Sequence, residues 1–149
     1  MQQKLLPPRL FLLCLISMIA IHLTFSPPPI WGSAVQTIAG IAIALGFLAI
    51  TVLGARQFDR ARTNINTFYK PDTLVTTGLF RFTRNPMYVG FSGALFGAAI
   101  ALNCLTGLLI AIAFVVVADR WYIRYEERMM ADTFGPAYAD YRAKTRRWL

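Results

Sequence analysis

Four stretches of this 149-residue chain are almost free of charge, and the polar residues gather between and after them. A helix that crosses a bilayer needs roughly 20 mostly apolar residues. The predicted spans are about 5–25, 31–53, 87–103 and 105–127, the first and third borrowing flanking residues to reach that length. Ser26-Pro27-Pro28-Pro29 reads as a rigid turn between the first two. Lys4 and Arg9 ahead of an apolar run resemble a leader, but no small-x-small cleavage signature follows, so the first span is read as retained. Asn103-Cys104-Leu105 leaves room only for a tight turn, which makes the third and fourth spans antiparallel partners. The expected fold class is therefore all-α: a polytopic membrane protein of about four transmembrane helices, residues 1–149 forming one domain.

Composition agrees with that pattern. A hydrophobic fraction of 56% and a mean hydropathy of +0.51 are too high for an ordinary soluble domain. The net charge of +8 matters more for where it lies than for its size. Lys4 and Arg9 precede the first span, six Lys or Arg from Arg56 to Arg84 lie between the second and third, and seven from Arg120 to Arg147 follow the fourth. The loops at Pro27-Pro28-Pro29 and Asn103-Cys104 carry none. By the positive-inside rule both termini are cytoplasmic. The cations are juxtamembrane and suit anionic lipid better than nucleic acid. Gly90, Gly93 and Gly97 form a small-residue stripe that seats the third helix against its neighbours. Cys14 and Cys104 show neither metal-ligand nor disulfide spacing.

Two polar regions belong to the cytoplasmic face. Residues 54–84 form a long connection rich in turn formers, and loops of that length usually carry function. The fourth span is expected to continue as a helix past Asp119 to Met130, with Gly135-Pro136 breaking it. Tyr138, Tyr141 and Trp148 then recur among charges, as in an amphipathic segment lying in the interface. Loop, helix extension and tail together can cover a site.

The candidate chemistry sits on those regions. In Arg84-Asn85-Pro86-Met87-Tyr88, Pro86 suits the first helical position and Asn85 the N-cap. Arg84 and Tyr88 flank a helix N-terminus, where a carboxylate or phosphate is favoured; alternatively Arg84 only anchors the chain at the cytoplasmic face. Glu126-Glu127 opposes the dipole at a helix C-terminus, so helix stability does not account for it. Glu127 has a local role open to it, an ion pair with Arg124, whereas Glu126 lies on a mixed face with Tyr122 and Met130. The lone histidine, His22, falls at the opposite membrane face, so no metal site or histidine-activated nucleophile is expected.

Asp72-Thr73-Leu74-Val75-Thr76-Thr77-Gly78-x-Phe80, Arg84-Asn85-Pro86-Met87-Tyr88-x-Gly90, Glu126-Glu127, Phe134-Gly135-x-x-Tyr138-x-x-Tyr141 and a terminal Arg-Arg-Trp together resemble the isoprenylcysteine carboxyl methyltransferase family, in a bacterial-type form. The related phospholipid N-methyltransferases share much of the pattern, which covers residues 63–149. The resemblance implies an integral-membrane methyltransferase that uses S-adenosylmethionine, releases S-adenosylhomocysteine, and takes a lipophilic acceptor or lipid from the bilayer. A cofactor pocket at the cytosolic face is implied, in a multi-pass protein of the bacterial inner membrane. Position by position, it places Thr73, Leu74, Val75, Phe80, Asn85, Pro86, Met87, Tyr88 and Glu126 at the cofactor. Arg84 and Glu126 would be the catalytic pair, and Tyr122 and Arg124 the residues nearest the acceptor.

The pattern departs from the prenylcysteine enzymes twice. Asn85 stands where they carry histidine, and Tyr122 where they carry a substrate-side arginine, which weighs against a carboxylate acceptor. Phospholipid N-methylation is the near alternative. An NADPH-dependent membrane reductase and a non-catalytic membrane partner protein are the alternatives of other classes.

Overall fold

The computed structural model describes residues 5–25, 34–64 and 69–149. Lys4, the Pro27-Pro28-Pro29 turn, Trp31, Gly32, Ile65 and Asn66 lie outside the described residues. Within them the chain is all-helical: α1 Pro7–Phe25, α2 Ala34–Arg60, α3 Pro86–Leu102, α4 Leu105–Val117 and α5 Arg124–Lys144. A 3-10 turn, Gly78–Arg81, precedes α3, and a π turn, Ala118–Ile123, joins α4 to α5. Three of the helical runs are long and apolar enough to span a bilayer, and α3 is a shorter apolar helix beside them. The protein is a polytopic membrane protein.

The packing explains how a helix as short as α3 holds its place. Its 17 residues rise only about 26 Å, less than a typical hydrocarbon core. Yet α3 is the most enclosed helix, with Leu95 and Ala99 almost wholly buried. Hydrocarbon gives no apolar driving force for helix association, so close backbone approach must supply it. Gly40 of α2 and Gly97 of α3 meet at that contact: a Cβ on Gly97 would lie 2.5 Å from the Ala44 nitrogen and 2.7 Å from the Gly40 carbonyl. The stripe expected to seat α3 therefore seats it on α2. α1 closes the opposite side, with the Phe11 ring stacked on Phe91 at 4.9 Å. Exposed Leu12 and Ile16 of α1, Ile38 and Leu45 of α2, and Leu109 and Ile112 of α4 form the outer surface, as lipid-facing positions should.

Three connections shape the two ends of the bundle. Asn103 adopts the left-handed conformation (φ 52°) that ends α3, and α4 begins two residues later, which gives the tight turn expected there. The connection from 54 to 84 is shorter than the sequence suggests, because α2 stays helical to Arg60. Tertiary partners hold those extra turns: the Gln57 Oε1 accepts the Leu79 N–H at 3.2 Å, and Phe58 meets Phe80 edge-on at 5.1 Å. Gly78 (φ +60°) permits this approach, since a Cβ there would lie 2.2 Å from the Gln57 amide. Past α4 the helix continues as expected and kinks at Gly135 (φ 48°, ψ −120°), next to Pro136.

The segment after the kink packs back against the folded loop. Tyr138 and Tyr141 are buried against Val75 and Phe80, and the Tyr141 hydroxyl donates to the Phe80 carbonyl at 2.7 Å. Their rings find more burial against the folded loop than one face of a surface helix can offer.

Candidate functional site

The start of α3, the beginning of α5, the end of α2, the 3-10 turn and the returning tail converge on one cavity at the arginine-rich face. Its lining includes Val75, Phe80, Arg84, Asn85, Pro86, Met87, Tyr88 and Glu126, together with Phe58, Glu127, Met130, Tyr138 and Tyr141. The cavity has a volume of about 60 Å³ and opens to solvent, so a nucleoside-sized ligand would extend into the opening.

The ionic groups of this cavity are held by defined contacts. The Tyr88 hydroxyl donates to Glu126 Oε1 at 2.7 Å, across 38 residues of sequence. The Arg84 side chain, about nine-tenths buried, donates through Nη2 to Glu127 Oε1 at 2.7 Å. Its Nη1 donates to the carbonyls of Thr145 and Arg142. Its Nε is buried and has no hydrogen-bond partner among the described residues. Glu127 also accepts a two-pronged contact from Arg147, Nε at 3.0 Å and Nη2 closer still. The hydrogen bond to Glu127, helped by the charges of Glu127 and Asp119, holds the Arg147 guanidinium above its ordinary pKa despite partial burial.

Two local expectations are corrected. Asn85 occupies the N-cap position but makes no side-chain cap. Its Nδ2 donates instead to the Arg147 carbonyl at 2.8 Å, and its own N–H goes to Thr83 Oγ1 at 3.1 Å. The returning tail brings that carbonyl within reach, and the amide takes it. Glu127 pairs with Arg84 and Arg147, not with Arg124, because the folded tail brings a forked guanidinium within reach.

Not every residue singled out in the sequence reaches the cavity. The Thr73 N–H is held by Thr63 Oγ1 at 3.1 Å, and Leu74 packs into the apolar cluster around Val75 and Phe80. Tyr122 lies behind the site: its ring stacks on Tyr88 at 6.4 Å and its hydroxyl donates to the Leu5 carbonyl at 2.7 Å. Arg124 is exposed and outside the lining. Conversely, Phe58, Met130, Tyr138 and Tyr141 line the cavity without having been assigned there. The tyrosines carried a signal in their recurrence after Gly135-Pro136. Phe58 carried none, since only the tertiary contact extends α2 that far.

One cation, two carboxylates, a helix N-terminus and an aromatic wall thus share one small space. The profile of the phospholipid methyltransferase family matches residues 35–137. That is more than half of the chain, and the chain belongs to this family. The match begins in α2, earlier than the motifs alone indicated, and takes in every element that forms the cavity except the last turns of α5 and the tail. Searches of curated proteins and of solved structures found no significant match.

Proposed function

We propose that this membrane methyltransferase of the phospholipid methyltransferase family transfers a methyl group from S-adenosylmethionine to a lipophilic acceptor that reaches the cavity from the bilayer. One observation carries the reading: a single cavity is lined jointly by Arg84, the N-terminus of α3 and Glu126. The donor set fits the cofactor. A carboxylate-bearing amino-acid portion needs a fixed cation and helix N–H groups, which Arg84 and the start of α3 offer. The buried Arg84 Nε is a donor still to be satisfied. A positively charged amine or sulfonium needs an anion, which Glu126 provides. An adenine needs apolar and aromatic surface, present in Phe58, Val75, Phe80 and Met130.

When bound, S-adenosylmethionine supplies an electrophilic methyl group on a positively charged sulfur. The chain's own contribution is positioning and exclusion of water. Arg84 cannot swing, because two tail carbonyls and Glu127 hold its terminal nitrogens. Glu126 is oriented by the Tyr88 hydroxyl. Phe80 and the two tail tyrosines exclude water from the inner wall. Tyr122, standing where a substrate-side arginine would be required for a carboxylate, weighs against a carboxylate acceptor.

Calorimetry of S-adenosylhomocysteine with the detergent-purified protein tests the reading. Micromolar binding is expected, and Glu126→Ala should lose it while melting as the wild type does. Unchanged affinity in that variant would remove Glu126 from the site. Binding of NADPH in place of S-adenosylhomocysteine would favour the reductase, and binding of neither a non-catalytic role.

A further inference from the structure

The last residues of the chain, 145–148, do more than end it. Thr83 and Arg146 form an isolated parallel bridge, and the Arg84 N–H donates to the Arg146 carbonyl at 2.9 Å. Thr83 Oγ1 and Asn85 Nδ2 both donate to the Arg147 carbonyl, at 3.1 and 2.8 Å. Beyond the backbone, the Arg147 guanidinium spans two carboxylates, forking onto Glu127 and reaching Asp119 Oδ1 at 3.2 Å. Trp148 Nε1 donates to the same Asp119 oxygen at 2.9 Å.

A regular helix would not present those two carboxylates together. Asp119 and Glu127 are eight residues apart, so at 3.6 residues per turn they would diverge by about 80° around the axis. The π turn Ala118–Ile123 takes up an extra residue, and eight residues then make close to two full turns. Both acids come onto one side of the helix, where one guanidinium can bridge them.

Charge explains why the bridge matters for the cavity. Arg84 and Arg147 face Glu127 and Asp119, and exposed Arg120 reaches the other Asp119 oxygen at 3.6 Å. Glu127 is shared, one oxygen to Arg84 and both to Arg147. Without Arg147, Glu127 would turn its whole charge on Arg84 and compete with an anionic ligand for it.

We infer that Arg147 is a positioning residue for cofactor binding, acting through Glu127 and the tail carbonyls to hold Arg84 in place and keep it available to an anionic group. This inference rests on the S-adenosylmethionine reading, and its test separates the two. S-adenosylhomocysteine affinity is measured by calorimetry for the wild type, Arg147→Met, Arg147→Lys, Arg84→Met and the Arg147→Met/Arg84→Met double variant. Exchange of the Arg84 amide is followed by hydrogen–deuterium measurement on each.

Arg147→Met should weaken binding about tenfold, as expected for loss of a charge-assisted hydrogen bond, and speed exchange at Arg84. Arg147→Lys, which keeps the charge but not the fork, should fall between it and the wild type. The double variant should bind no worse than Arg84→Met alone. Wild-type affinity in Arg147→Met, or a loss that adds in full to that of Arg84→Met, overturns the inference. Should Arg147→Met fail to fold, Arg147→Lys decides alone, and unchanged affinity with unchanged exchange overturns it. A wild type that binds no S-adenosylhomocysteine overturns the functional reading instead; exchange at Arg84 then judges the clamp, and no change there rejects it.

Discussion

At the scale of single residues, the cavity holds its ionic groups still. Tyr88 and Glu126 are the simplest case, one hydroxyl on one carboxylate at 2.7 Å. Hydrogen bonds to charged groups contribute about 1.5–3 kcal/mol, and about 1.4 kcal/mol is a tenfold change in affinity. Tyr88→Phe should therefore weaken S-adenosylhomocysteine about tenfold or more without altering the melting temperature greatly, since the ring keeps its contact with Tyr122. Calorimetry beside a thermal melt checks this, and an unchanged affinity would show that Glu126 needs no orientation. Arg84 and Asn85 were visible in the sequence as unusual residues beside a helix start. Their partners were not, because Arg142, Thr145 and Arg147 contribute backbone carbonyls, which every residue type possesses.

At the scale of elements, the decisive contact is that of α2 with α3. Backbone meets backbone at Gly40 and Gly97, so no side-chain rotation can make room for a substituent there. Gly97→Val should force the helices apart and lower the thermal stability in detergent by several kcal/mol, as overpacking of a tight interface does. On the same helix as Gly40, a Cβ added at Gly46 would meet nothing within 4 Å, and Gly46→Ala should be neutral or slightly stabilising. Equal effects of the two substitutions would mean that the stripe is not an interface. The glycine spacing was legible in the chain, but it did not say which helix would fill the groove. The π turn had no sequence signal at all: it is a small distortion that a regular periodicity cannot show, and the ionic contacts of Arg147 accompany it.

At the scale of the whole molecule, the fold gathers the cavity, the tail and the arginine-rich loop at one end of the bundle and the Asn103-Cys104 turn at the other. By the positive-inside rule the first end is expected at the cytoplasm. Single cysteines placed at Thr77, Arg142 and Asn103, in a background with Cys14 and Cys104 replaced by alanine, should label from two sides. Thr77→Cys and Arg142→Cys are expected to react together in inside-out vesicles, and Asn103→Cys only in the opposite orientation. Labelling of all three from one side would refute the four-span arrangement.

Much of this protein was settled by its sequence. Long uncharged stretches cannot remain in water, so the all-helical membrane architecture follows from composition and order alone, and the sorting of Lys and Arg is the ground for expecting one orientation. The cavity residues Arg84, Tyr88 and Glu126 stood out in the sequence for a related reason: polar groups beside a membrane helix are costly enough to be noticed. Only the tertiary structure decided how they are used. Burial drew Tyr138 and Tyr141 onto Val75 and Phe80, and the tail they carry brought Arg147 across 20 residues to Glu127. Local periodicity holds no record of such a contact, because it depends on where a kink at Gly135 aims the chain.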